Sequence, residues 1–306
     1  MNKRKFISAL VGCLVALEMG ISAGGFTREN EGISVEHVRT ITGFVHPESV
    51  AYDPVSKALY VGQFGSVLKP TLKDGKGKIS KVTITGEIVD EQFLPAPGGV
   101  LNKPKGIWID GSRLWVTDID AVWVFDLKSR RGRKAVLPGA KFANDPTVRD
   151  NALFVSDTSG GQIYRVVPAD FLEIEGGPTI TVSSAGLTFG PNGLYPTLDG
   201  SMLVVGYHMG GQDRGIYSVD SGGKIKPLSQ ALGLLDGVAQ LDDGTVLVTD
   251  WKSKSLFRWN PGIGKRTLAA GFAGPADFCV VPEDKGLLVV VPDLVKSELR
   301  MIRLPK

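Results

Sequence analysis

The sequence predicts an all-β chain folded as a six-bladed β-propeller with four antiparallel strands per blade. Three observations carry this expectation. One short strand recurs six times, further strand-like segments flank every copy, and a lone strand-like segment near the N-terminus matches a strand missing at the C-terminal end.

Taken in order, residues 1–23 read as an export signal, with a basic start at Lys3, Arg4 and Lys5, an apolar stretch from Phe6 to Ala16 and small residues from Gly20 to Gly25. The stretch is short for a membrane span and Glu18 follows it closely. No other window approaches the roughly 20 apolar residues a transmembrane helix requires. Leu10-Val11-Gly12-Cys13 offers a rival reading as a lipoprotein box that would lipidate Cys13, although few apolar residues precede the cysteine. A periplasmic or secreted location is the expectation. With the signal removed near Ala23, Cys279 is the only cysteine left, so stability rests on packing and sheet closure and not on an intramolecular disulfide.

Residues 24–306 then form one domain. Val38 to Thr42 is the lone N-terminal strand, expected to pair into the last blade and hide its open edge. The recurring strand appears as Leu59–Gln63, Leu114–Asp118, Leu153–Asp157, Leu203–Tyr207, Val246–Asp250 and Val289–Asp293, apolar, β-branched or aromatic through the centre and mostly polar at the end. A second strand follows each copy (Ile79 to Val82 after the first, Val122 to Phe125 after the second), and another precedes it, mostly after a Pro- or Gly-marked turn. Arg133 to Leu137, Thr179 to Val182 and Arg266 to Ala269 supply outer strands. The segment Lys69 to Lys78, with four lysines and two glycines, reads as a solvated hairpin in the first blade, with a binding patch as the rival.

Composition excludes some function classes. Removing residues 1–23 takes three Lys/Arg from 35 and one Glu from 32, which leaves a net charge near +1. Neither nucleic acid nor an anionic membrane surface is implied as a partner. No serine-nucleophile elbow, phosphate-binding glycine loop or cysteine-based metal motif is present, and the three histidines are scattered.

Aligning the units on the recurring strand puts Glu48, Lys105, Asn144, Asn192, Asp236 and Asp277 at the start of the six innermost strands, 13 to 16 residues before the recurring strand ends. In a propeller these positions converge at one mouth of a central channel. Glu48 and Asp236 flank two carboxamides, and Asp277 adds a further acid. Such oxygens are hard ligands suited to a calcium-like cation, so a divalent metal at the channel mouth is the expected cofactor.

Four fragments at these positions, Pro47-Glu48-Ser49, Asn144-Asp145, Gly190-Pro191-Asn192-Gly193-Leu194 and Asp236-Gly237, give the chain a resemblance to the family of gluconolactonases, senescence marker protein and luciferin-regenerating enzyme, over essentially the whole mature chain. Paraoxonase and diisopropylfluorophosphatase are more distant relatives. The resemblance implies that Glu48, Asn144, Asn192 and Asp236 hold the metal, and that a lactone or related ester is hydrolysed with Asp236 as proton acceptor or nucleophile. Lys105, Asp145 and His46 are the candidate substrate contacts. His46 also reads as a turn or packing residue, and His208 is open to the same two readings.

The sequence departs from the family pattern in places. Ser49-Val50-Ala51-Tyr52 replaces a glycine-rich, tryptophan-containing opening, and Lys105 introduces a cation that either orients an anionic substrate or neutralises Glu48 and Asp277 in a site without a metal. The competing function is a non-catalytic exported propeller that binds a protein, peptide or glycan on one face, and a monomer is the expectation for the chain.

Overall fold

The computed structural model of the chain describes residues 35–305; the export signal assigned to residues 1–23, with Cys13, lies outside them. The recurring strand is the most buried part of each repeat. Ala58–Gln63, Ala152–Asp157 and Met202–Gly206 are buried at every position, because the second strand of a blade has a neighbouring blade against each face. For that reason these segments read as continuous apolar runs instead of alternating ones.

Six four-stranded antiparallel sheets result, and the described residues contain no helix. In the first blade the order outward from the channel is Pro47–Asp53, Ala58–Gln63, Lys78–Thr83 and Ile88–Leu94, and the next four blades repeat that order along the chain. The sixth blade differs. It takes Cys279–Glu283, Gly286–Asp293 and Glu298–Pro305 from the C-terminal end, and its outer strand is Glu36–Ile41. Ile41 pairs with Leu299 and Glu36 with Arg303, whose side chains form an ion pair at 2.8 Å. The expected closure of the ring by the N-terminal strand is therefore what the chain adopts.

Apolar clusters fill the spaces between blades. Val50, Leu59 and Val61 of the first blade meet Val281, Val290 and Met301 of the sixth, with Ile41 of the closing strand against them. Each fully buried side chain of this kind contributes about 1.5–3 kcal/mol. The outer strands Ile88–Leu94 and Ile225–Pro227 left no sequence signal, since one carries Asp90, Glu91 and Gln92 on an exposed edge and the other is three residues long.

Candidate functional site

The polar residue that ends most recurring strands acts as a clamp on the chain that leads into the innermost strand of the same blade. Asp118 accepts backbone N–H bonds from Asn102 and Lys103 at 3.0 and 2.9 Å, and Asp157 accepts those of Lys141 and Phe142 at 3.1 and 2.8 Å. Asp250 takes the N–H of Leu234, Asp293 those of Ala273 and Gly274, and Gln63 that of Val45. Each clamp fixes the chain two to four residues ahead of one residue of the polar ring.

Immediately beyond the clamps, five of the six innermost strands carry a one-residue β-bulge: between Pro47 and Ser49, Pro104 and Ile107, Ala143 and Pro146, Pro191 and Leu194, and Leu235 and Val238. Every bulge falls on a ring residue. A bulge sets two residues against one and re-aims a side chain, so Glu48, Lys105, Asn144, Asn192 and Asp236 leave the regular alternation together. Two of the glycines that follow are required by close approach. A Cβ on Gly193 would strike the Asp236 carbonyl oxygen, and one on Gly106 would strike the Asp145 carboxylate. Asp277 joins from just outside its strand, with its N–H on the Glu48 carbonyl at 3.0 Å and its carboxylate on the Ser49 hydroxyl at 2.7 Å.

Three ring residues are linked to one another. The Asn144 amide donates to Asn192 Oδ1 and, at 3.2 Å, to the Thr158 hydroxyl. The Asn192 amide donates to the Leu235 carbonyl at 3.0 Å and to Asp236 Oδ1 at 3.1 Å. Trp251 Nε1 donates to Asp236 Oδ2 at 2.6 Å. Glu48 and Lys105 differ: Glu48 Oε2 and Lys105 Nζ are buried and have no hydrogen-bond partner among the described residues.

Crowding of acids sets the electrostatics. Burial, then the nearby Asp236 charge, lifts Glu48 well above the usual carboxylate range, with Lys105 opposing. Burial raises Asp277 to about 7 and Asp236 to about 6, the latter against the hydrogen bonds from Trp251 and Asn192. Asp145 is also raised well above the usual range, by burial and then by Asp277. Burial lowers Lys105 to about 8. A set of desolvated carboxylates without enough cation is an unfavourable arrangement that a bound divalent ion would relieve.

The donor set fits a hard divalent cation. Glu48 offers an orphaned buried oxygen, Asp236 a second carboxylate, and Asn144, whose amide nitrogen is engaged, its carbonyl oxygen. No three His, Cys, Asp or Glu side chains cluster as a metal site among the described residues. Here the set reaches four only by counting the carboxamides of Asn144 and Asn192.

Glu48, Asn144, Asn192 and Asp236 form the floor of a cavity of about 280 Å³. Its walls are Phe64, Phe142, Tyr207, Trp251 and Leu294, with Leu68, Pro70, Met209 and Val295 at the rim. The other candidate substrate contacts lie elsewhere. Lys105 is fully buried between the Phe142 and Phe64 rings, 4.4 and 5.8 Å from their centroids, and reaches neither the cavity nor an ion pair with Glu48. Asp145 is buried with its carboxylate on the Leu194 N–H at 2.6 Å. His46 sits in a turn at φ 51°, with Nδ1 2.9 Å from the Leu294 carbonyl, and His208 accepts the Gly210 N–H at 3.1 Å in its own hairpin.

The lysine-rich loop is a partial correction. Lys69, Lys73 and Lys76 are exposed as a solvated hairpin requires, yet Leu68 and Pro70 from the same loop wall the cavity. Lys103, fully buried, holds the loop there through the Phe64 and Val67 carbonyls at 2.8 and 3.0 Å and Asp74 at 2.8 Å. Sequence reasoning missed Lys103 and the aromatic walls. A usable signal existed: Phe64, Thr158, Trp251 and Leu294 each stand one place after a recurring strand.

A six-bladed propeller with a bulged polar ring under a small cavity is the class that fold and site define. No family model and no curated protein matches the chain. Among solved structures, a catalytically inactive variant of virginiamycin B lyase from Staphylococcus aureus, with quinupristin, is similar at a TM-score of 0.59 and 15% identity, over 89% of this chain and 99% of that one. A "putative gluconolactonase" gives 0.60 and 16%, over 90% and 93%. A chain of a nidogen/laminin complex gives 0.55 and 15%, over 87% and 94%. At such identities the likeness establishes the fold, which serves both a lyase and a protein complex; function has to be argued from the site.

Proposed function

We propose that the protein is an exported, metal-dependent hydrolase of a lactone or related ester, with calcium held by Glu48, Asn144, Asn192 and Asp236. The observation that supports this most is the convergence of four oxygen-bearing side chains, each re-aimed by its own bulge, at the floor of one cavity with a buried Glu48 oxygen lacking a partner. The signal-like residues 1–23 support export.

When bound, the cation supplies Lewis acidity toward a substrate carbonyl oxygen and offsets developing negative charge. Asp236 is the proton acceptor. Burial raises it above the usual carboxylate range in the metal-free protein, the direction that strengthens a base. Trp251 Nε1 and the Asn192 amide each donate to one carboxylate oxygen and fix its plane at the edge of the cavity that Asp236 lines. As water adds to the carbonyl carbon its proton passes to Asp236; as the ring C–O bond breaks, the departing alkoxide takes that proton back. The aromatic walls limit water at the floor.

The test is a panel of lactones and aryl esters offered to the protein with and without a chelator, beside Asp236→Ala and Asn192→Ala. Hydrolysis that needs metal and disappears in Asp236→Ala is expected. Calcium binding without hydrolysis of any panel member would move the non-catalytic binding module ahead.

A further inference from the structure

We infer, on the hydrolase reading of this site, that its substrate is a compact, uncharged lactone or ester with an apolar substituent, and not a polyhydroxylated or anionic one. The floor and the walls of the cavity have different chemistry. Above the four oxygen-bearing floor residues, the wall and rim atoms come chiefly from aromatic and aliphatic side chains, including Phe64, Leu68, Pro70, Met209, Leu294 and Val295. Leu68, Met209 and Val295 are exposed at 42, 57 and 45%, so the rim offers apolar surface to an incoming ligand without being needed to fill the core.

Most of the polar groups that a polyol would require are already engaged, the Tyr207 hydroxyl being the one wall group left open among the described residues. Thr158 donates its hydroxyl to the Pro191 carbonyl at 2.9 Å, and the Asn192 amide and the Trp251 indole N–H are both committed to Asp236. Several hydroxyls carried into these walls would lose water and find only the Tyr207 hydroxyl as a side-chain partner there. An anion fares worse. No lysine, arginine or histidine lines the cavity among the described residues, and the cation that sequence placed in the ring, Lys105, is sealed behind Phe142. Size matters too, since about 280 Å³ lies at the lower edge of the usual range for ligand pockets.

The loop that carries Leu68 and Pro70 is held by Lys103 through three contacts of 2.8 to 3.0 Å, so the apolar rim is an ordered part of the site. Each methylene that the rim covers favours binding by roughly fourfold.

Two δ-lactones with the same number of non-hydrogen atoms decide the matter, one bearing a pentyl chain and one bearing hydroxyls and a hydroxymethyl group. With the full chain and calcium, the pentyl lactone is expected to be preferred by at least about tenfold in kcat/KM. Leu68→Ser and Val295→Ser should each raise its KM several-fold while the melting temperature stays put. Preference for the hydroxylated lactone would overturn the inference and leave the hydrolase reading standing. If neither lactone is hydrolysed, calorimetry with the pentyl-substituted lactam separates the two ideas. Binding that the serine variants weaken would retain the apolar pocket and remove the hydrolase, and absence of binding would remove both.

Discussion

The Asn144–Asn192–Asp236 arc and the Glu48–Lys105 arc occupy equivalent positions on bulged innermost strands, yet the first is joined by side-chain hydrogen bonds throughout and the second has none. The difference separates what the fold supplies from what a ligand has to supply. The linked arc is preorganised by Thr158 and Trp251 before anything binds. The open arc holds a desolvated carboxylate and a desolvated ammonium that do not meet, an arrangement tolerable only where the rest of the structure holds it in place. A cation bound between the arcs would satisfy Glu48 and draw on the oriented oxygens of the linked arc.

The comparison breaks most severely at Asp236. Asp236→Ala is expected to lower hydrolysis by about a thousandfold or more, equivalent to about 4 kcal/mol, and to abolish calcium binding, as judged by single-turnover assays and calorimetry. On the open arc, Glu48→Gln should weaken calcium by about a hundredfold. In metal-free buffer the same substitution should leave the melting temperature unchanged or raised, since it replaces a buried carboxyl oxygen that has no hydrogen-bond partner and removes the cost of ionising it among other acids. A drop in metal-free stability would mean that Glu48 is already satisfied.

Stability against pH sharpens the contrast further. Asp236 and Asp277 titrate near 6 and 7 in the folded protein against 3.8 as the ordinary value, so the folded state holds the additional protons. The stability they contribute is full below about pH 4 and is lost as pH rises through about 6 and about 7. Metal-free protein should therefore melt at a higher temperature at pH 5 than at pH 8, and saturating calcium should shrink or reverse that difference. Ser49→Ala has a smaller expected effect. Loss of its bond to Asp277 and of the N–H of Ile107 that it accepts at 3.2 Å should destabilise by about 1 kcal/mol in denaturant titration. Lys105→Met is the mildest, with calcium affinity unchanged or slightly tightened and the fold intact; a collapse of the fold would favour the reading in which the lysine stands in for a metal.

The fold was legible because the second strand of each blade is buried on both faces and reads as an apolar run, so six copies stood out. The six ring positions were legible for a related reason, since counting back from a recurring landmark locates equivalent places in every blade. What escaped was everything created by closure. Phe142, Tyr207 and Trp251 come from different blades and meet only when the ring is complete. Lys105 looked like a site cation because sequence gives its ring position and not its burial behind Phe142. The bulges were hidden as well, because an extra residue in a strand leaves no mark until the register of its partner is known.

The two ends of the channel make a second contrast. A larger cavity of about 800 Å³ opens at the other ends of the innermost strands, lined by Tyr52, Trp108, Tyr195, Leu241 and Phe278. It lacks the bulged ring, and volume alone confers no chemistry.

The central claim is that Glu48 and the linked arc jointly hold a divalent cation, and a calorimetric titration of the metal-free protein with calcium tests it most directly, beside Glu48→Gln and Asp236→Ala. Saturable binding at one site per chain, weakened about a hundredfold by the first substitution and abolished by the second, is the result this account requires. No binding by the parent, or binding that survives both substitutions, would contradict it.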